Sequence, residues 1–169
     1  MRIEQGFKLP TVTPDGIYGF FGDYRFLSNF HLCPLELDGL SYPSSEHAYM
    51  AQKSLDPDWR KRLALQGLTP IQARRLGQTV ALRPHWGELR LCTMHQVLSH
   101  KFLNPDMRRR LLATQDKYLE ETNDWGDRFW GVCEGQGLNW LGRLLMQVRE
   151  HYRACETPQA APAQPDLFG

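Results

Sequence analysis

Apolar positions alternate in part near the N-terminus and fall at three- and four-residue spacing from about residue 44 onward. Ile17-Tyr18-Gly19-Phe20-Phe21 is a short apolar, aromatic run that predicts a buried strand, broken by Gly22-Asp23. Cys33 to Tyr42 alternates partly around Asp38-Gly39, a two-residue hairpin signal. Ser44 or Ser45 is a good N-cap for a short helix over 44–54. A helix over 58–66 stops at Gly67. Thr69-Pro70-Ile71-Gln72 joins an N-cap, a proline at the first helical position and a capping-box Gln, in a helix that ends at Gly77. Pro84 opens a longer segment with Trp86, Leu89, Met94, Val97, Leu98 and Phe102 near helical spacing; Asn104-Pro105 ends it and starts another helix through Leu111-Leu112. Trp140, Leu141, Leu144, Leu145, Val148 and Tyr152 form the stripe of a closing amphipathic helix. Residues 123–139, with several glycines and two tryptophans, predict a loop too ornate to be a mere connector.

Residues 1–16 have little periodicity and read as an irregular lead-in. From about Cys155 the composition turns to Pro, Ala, Gln and Thr, which predicts a disordered tail. One domain over 17–154 therefore stands between two ends, a size that buries a real core. With 20 basic against 19 acidic residues, no whole-molecule field drives the chain onto nucleic acid or membrane. Contact with DNA would need a local patch such as Arg60-Lys61-Arg62, Arg74-Arg75 or Arg108-Arg109-Arg110. No segment approaches a membrane span and no apolar signal core opens the chain, so a cytoplasmic protein without a membrane partner is expected. Cys33, Cys92, Cys133 and Cys155 are widely spaced and fit incidental reduced thiols. Cys92-x-x-His95 has ligand-like spacing but no second pair completes it, so no metal and no cofactor are expected.

Within the helix over 44–54, Glu46 and Lys53 are seven residues apart, nearly two full turns, and would share a face at about 10 Å along the axis. That separation is too long for an ion pair and suits gripping one polar ligand from two sides. Cap preferences account for the same residues, since acids belong in first turns and bases in last turns.

Several phrases, in order, resemble the NADAR family, also called YbiA-like. They are Phe26-Leu27-Ser28-Asn29-Phe30, then Tyr42-Pro43-Ser44-Ser45-Glu46-His47 with Gln52-Lys53, Ala73-Arg74-Arg75-Leu76-Gly77, Trp86 with Met94, and Lys101-Phe102. Leu111-Leu112-Ala113-Thr114, Asp127 with Trp130-Gly131, and Asn139-Trp140-Leu141-Gly142-Arg143-Leu144-Leu145-Met146 complete a series over about residues 17–152. The resemblance implies a mainly helical α+β fold, a single domain with a small β-element near the N-terminus. It also implies an N-glycosidase-type activity on ribosyl compounds. Two substrates are connected with the family: ADP-ribose attached to guanine in DNA or free nucleotides, and phosphoribosylamino intermediates of riboflavin synthesis. A non-catalytic module that binds ADP-ribose or a nucleotide is the reading from another class. The family expects an acid a few residues ahead of one Trp-Gly; Asp127 with Trp130-Gly131 fits by spacing, and Asp124 with Trp125-Gly126 stays open. Val132-Cys133-Glu134 stands where a histidine- or glycine-rich stretch is expected, so substrate choice can differ.

Breaking an N-glycosidic bond builds positive charge at the anomeric carbon while the leaving nitrogen gains electrons, so the site needs a nucleophile or anion and a proton source. The expected catalytic set is Glu46 for proton transfer, Lys53 as nucleophile or Schiff-base former, and Asp127 as a further acid. Direct hydrolysis with Glu46 as base is the alternative route. In the expected binding set, Asn29 and Asn139 are amides able to read ribose hydroxyls or to tie loops. Trp86 and Trp130 offer stacking faces, and Gly131 and Gly142 suggest close backbone approach. Lys101, Arg74 and Arg149 suit a phosphate or pyrophosphate. Phe30 and Ser44 belong to the same set, with core packing and helix capping as their plainer roles. Near the C-terminus, Gln164-Pro165-Asp166-Leu167-Phe168 resembles the short peptides by which bacterial DNA-repair proteins bind the sliding clamp. The expected partners are thus the ribosyl substrate, ADP-ribosylated DNA, a sliding clamp and a cognate ADP-ribosyltransferase toxin.

Overall fold

A computed structural model of the chain describes residues 2–4 and 7–156. The lead-in is not irregular. Strand β1 (Arg2–Glu4) pairs antiparallel with β2 (Phe7–Leu9), and β3 (Thr11–Val12) with β4 (Gly16–Tyr18). Strands of two or three residues are too short for alternation to register in sequence. Thr13 closes the β3–β4 turn by accepting at Oγ1 from the Gly16 amide, 2.9 Å. The strand expected over 17–21 shrinks to β4 because Gly19 turns to φ +87°. A 3-10 turn over Gly22–Leu27 follows.

The hairpin forms about Asp38-Gly39, whose φ values of 51° and 76° are those a tight two-residue turn requires. It joins β5 (Leu32–Leu37) to β6 (Leu40–Ser44). Cys33, Leu35 and Leu37 point inward and alternate with exposed neighbours, as period two dictates. Helix α1 (Ser45–Ala51) starts directly from β6. Then come α2 (Pro57–Leu65), α3 (Pro70–Leu76) with both halves of the Thr69–Gln72 capping box in place, α4 (Trp86–Lys101) and α5 (Pro105–Leu112). Strand β7 (Tyr118–Glu120) lies parallel to β4 and completes a β3-β4-β7 sheet. The ornate loop is framed by a parallel pair, β8 (Thr122–Asn123) and β9 (Val132–Cys133). Helix α6 (Trp140–Glu156) closes the chain and runs past Cys155, where the tail was expected to begin. The clamp-like peptide Gln164–Phe168 lies outside the described residues.

The core gathers Val97, Leu98 and Phe102 from α4 and its end, Leu144, Leu145 and Val148 from α6, Leu119 from β7 and Ile17 from β4. Each such side chain contributes about 1.5–3 kcal/mol when fully buried. Polar ties fix the helices on this core: Tyr152 donates to the Ser99 carbonyl at 2.9 Å, and the Trp59 indole to Met50 O at 3.0 Å. Arg149 is buried and donates to Thr114 Oγ1 and Lys117 O, so it braces α6 and does not face a phosphate in solvent. Among the described residues no helix is long and apolar enough to cross a membrane.

Candidate active site

Every residue of α1 is buried, so this helix carries its polar side chains into the interior. Ser44 caps it, its Oγ accepting from the His47 amide and lying 2.8 Å from His47 Nδ1; both contacts are structural. Glu46 follows two residues later, 6% exposed, with its amide donating to Asn29 O at 3.0 Å. Burial pushes its carboxyl up to about 7; the nearby Arg74 and Lys53 oppose that rise and Asp127 adds to it. Lys53 is not on the helix. With α1 ending at Ala51 and Gln52 as its cap, a following turn (Lys53 N to Met50 O, 3.3 Å) carries Lys53 back toward the same ground. Its Nζ donates to Gly77 O at 2.7 Å, at the end of α3. Burial lowers the basicity of this amine; Glu46 opposes the drop and Arg74 reinforces it. The acid and the amine are brought together, with Arg74 within reach of both.

Asp127 belongs to the same neighbourhood, since its charge is felt by Glu46 and Tyr49. Its Oδ1 accepts from the amides of Phe129 (3.1 Å) and Trp130 (2.8 Å), while Asn123 clamps its backbone from both sides. Asp124 points elsewhere. It pairs with Lys8 at 2.6 Å on the surface, and that hydrogen bond holds its carboxyl below the usual range. Of the two acids, Asp127 is the one beside Glu46.

An aromatic wall stands next to these groups. The Tyr49 ring packs on Trp86 at 5.3 Å and meets Trp130 edge-on at 5.4 Å. Trp130 meets Phe129 at 5.0 Å, and the Arg90 guanidinium stacks 3.7 Å above Phe129. Trp86 is 8% exposed and serves mainly as backing for Tyr49, whereas Trp130 is half-buried and offers a face. Phe30 is half-buried, with its amide held by Ser28 Oγ at 3.2 Å.

Other expected residues hold the scaffold. The Asn139 side chain is taken up by the Glu121 amide, Tyr118 Oη and Leu119 O, lacing β7 to the start of α6. A Cβ on Gly142 would overlap Leu119 O, so this glycine lets α6 pack against β7. Lys101 is wholly enclosed and donates to Ser28 O at 2.9 Å; it has no route to a phosphate in solvent, and burial brings its amine down to about 7. Gly131 leaves room for Glu121, whose carbonyl a Cβ there would overlap and whose Cγ it would approach to 3.1 Å.

Sequence reasoning missed Glu121. It lies between β7 and β8, half-buried, with Oε2 enclosed and without a hydrogen-bond partner. Burial pushes its carboxyl up to about 8, Arg25 opposing and Asp127 adding. In the structure Leu119 and Asn123 are buried and a two-residue step from either puts Glu121 on the inward side, but strands this short leave no alternation to read in the sequence. An open groove of about 330 Å³ lined by Asp23, Tyr24, Phe26, Arg110, Ala113 and Thr114 holds neither Glu46 nor Lys53 and is a separate feature. Among the described residues no three His, Cys, Asp or Glu side chains gather as they would to hold a metal ion.

Comparison with known proteins adds to this geometry. Residues 19–153 match the family model described as the NADAR domain. The chain is 35% identical over 150 residues to N-glycosidase YbiA of Escherichia coli (strain K12), covering 85% of this chain and 92% of that protein. It is 39% identical over 132 residues to a riboflavin biosynthesis protein of Vibrio vulnificus (strain YJ016), covering 76% of this chain and 35% of that protein. Its fold is similar to the NMR structure of E. coli YbiA, with a TM-score of 0.77 at 32% identity over 90% of this chain and 94% of that one. With most of its length matched in sequence and its mainly helical α+β architecture shared, this chain belongs to the NADAR domain family.

Proposed function

We propose that this protein is a hydrolase of N-glycosyl bonds that removes an ADP-ribosyl group from guanine in DNA or nucleotides. Its relatives supply the reaction class, one of them being named an N-glycosidase. The observation that carries the reading is the convergence of Glu46 and Lys53, both shifted by burial toward their uncharged forms. An amine held to Gly77 O through one N–H keeps its lone pair for attack. In the proposed sequence the neutral Nζ of Lys53 attacks the anomeric carbon. The bond to the base nitrogen breaks, its electron pair leaves with the base, and the base takes the proton of Glu46. The resulting carboxylate recovers a proton from Nζ. The ring then opens as its oxygen takes that proton from Glu46 and the anomeric carbon doubles its bond to Nζ; water adds to this iminium and hydrolyses it to free sugar and amine, and the proton released returns to Glu46. Asp127 adds negative charge against the positive charge that builds on the sugar. The half-buried face of Trp130 suits a base, and Arg74 and Arg90 suit a pyrophosphate.

The Vibrio relative favours a second reading, hydrolysis of phosphoribosylamino intermediates of riboflavin synthesis. Both substrates are therefore offered to the purified protein, with released sugar read by mass spectrometry and the imine trapped with borohydride. Release of ADP-ribose from modified guanine supports the first reading, and release of only the phosphoribosyl group supports the second. Binding without turnover on either leaves a nucleotide-binding module. A DNA-linked substrate would give the peptide Gln164–Phe168 a purpose, since docking on a sliding clamp brings a cytoplasmic enzyme to DNA, and an ADP-ribosylating toxin is the class of enzyme that makes such a substrate. Removing residues 160–169 should abolish clamp binding and leave turnover of a short oligonucleotide unchanged; clamp binding by the truncated form would end that idea.

A further inference from the structure

Among the enclosed oxygens of the described residues that lack a hydrogen-bond partner, two carbonyl-type acceptors bear on the acid–amine pair. One is Oδ1 of Asn29, a residue only 7% exposed, and the other is Oε2 of Glu121. Buried acceptors are paired in nearly all folded proteins, so an orphan beside a candidate site is a place where a ligand donor can be received. The two oxygens belong to one polar floor. The Asn29 carbonyl accepts from the Glu46 amide, and the neighbouring Ser28 carbonyl accepts from Lys101 Nζ. Glu121 lies within electrostatic reach of Glu46, Lys101 and Asp127. Nor does Asn29 find a good partner for its amide nitrogen, which faces only the Met94 sulfur at 3.5 Å. A neutral core would have used apolar residues here. Gly131 keeps open the space in which the Glu121 side chain lies.

We propose that Glu121, together with Asn29, reads the adjacent hydroxyls of the ribosyl ring and so makes the enzyme select ribose over deoxyribose. This rests on the ribosyl N-glycosidase reading above. The chemistry asks for such a reader. A modified guanine in DNA carries two N-glycosidic bonds, one to the added ribose and one to the deoxyribose of the strand. Cleaving the second would leave an abasic site. The two sugars differ by the hydroxyl next to the anomeric carbon, and a buried acceptor left unpaired by deoxyribose penalises that sugar. Glu121 is near Glu46 and Asp127, the groups placed at the anomeric carbon, and is thus suited to that hydroxyl.

The test is binding of ribose 5-phosphate and 2-deoxyribose 5-phosphate by titration calorimetry, with wild type, Glu121→Met, Glu121→Gln and Asn29→Leu, each checked for cooperative unfolding. Wild type should bind the ribose compound at least about tenfold tighter. Glu121→Met should bring the two within about twofold, since it keeps the bulk and removes the acceptor. Glu121→Gln should restore part of the preference because its amide oxygen still accepts, an outcome that a merely structural role does not produce. Equal affinity of wild type for the two sugars, binding of neither, or full preference in a folded Glu121→Met protein overturns the proposal. Wild-type turnover is measured separately: an inactive protein that still prefers ribose sinks the catalytic reading alone, and an active one without preference sinks this one alone.

Discussion

Burial carries the Glu46 carboxyl up to about 7 and brings the Lys53 amine down from its ordinary range, so each is moved toward its uncharged form. In the proposed reaction the two groups divide the labour of one bond cleavage, and each division has a consequence. Glu46→Gln preserves the side chain's shape and the backbone hydrogen bond from residue 46 N–H to Asn29 O, and replaces the transferable carboxyl proton with an amide. Its kcat should fall by about 10²–10⁴-fold with little change in affinity for ADP-ribose, read by single-turnover kinetics and calorimetry. An unchanged kcat would remove Glu46 from the proton path. Because a general acid works only while protonated, the wild-type rate should decline as pH rises through about 7. Lys53→Arg still has donors for Gly77 O but cannot form an imine. It should lose both turnover and the borohydride-trapped adduct; turnover that survives in this variant would point to direct hydrolysis, with Glu46 activating water.

At the level of elements, the site is an assembly of backbone fittings. The segment Tyr118–Asn123 brings Glu121 inward, and Asn139 and Gly142 at the start of α6 hold that segment in place. Gly142→Ala sets a methyl against Leu119 O, so the protein should lose about 1–3 kcal/mol of stability in urea unfolding, with further disturbance at Glu121. Equal stability would show that α6 has slack there. What was legible in the sequence shares one property, that its cause lies within a few residues. The Asp38-Gly39 turn, the Thr69 capping box and the Pro105 helix start are all of this kind. β4 was harder to delimit because its parallel partner is about a hundred residues away, Gly16 opposite Tyr118. Lys101 has a charged side chain on a helical stripe, and only the Ser28 carbonyl, 73 residues back, explains why it is enclosed. Glu46 and Lys53 were paired for a partly wrong reason: α1 stops short, and a turn does the work assigned to helical periodicity.

Across the whole molecule the buried titratable groups should shape stability against pH, and the signs separate them. Glu46 and Glu121 have carboxyls raised from 4.5 to about 7 and about 8 on folding, so the folded state holds protons that the unfolded chain has released. The stability they contribute is full below about 4.5 and is lost as pH rises through those folded values. Lys101 runs the other way. Its amine falls from 10.5 to about 7, so its contribution is full above 10.5 and is lost as pH falls through about 7. These terms together place a minimum of stability between about pH 7 and 8, superimposed on the rest of the protein's titration. Each group supplies a slope of up to about 1.4 kcal/mol per pH unit within its window. Glu121→Gln should therefore gain on wild type as pH climbs from 5 to 8, measured as the difference in urea-unfolding free energy at matched pH. Lys101→Met costs stability throughout by leaving the Ser28 carbonyl without its donor, and its deficit should widen from pH 7 to 10 as wild type recovers. A difference that stays flat across both windows would mean that these side chains keep their ordinary charges in the fold. The enclosed floor beneath Glu46 would then be wet and ionised, and a neutral acid could not operate from it.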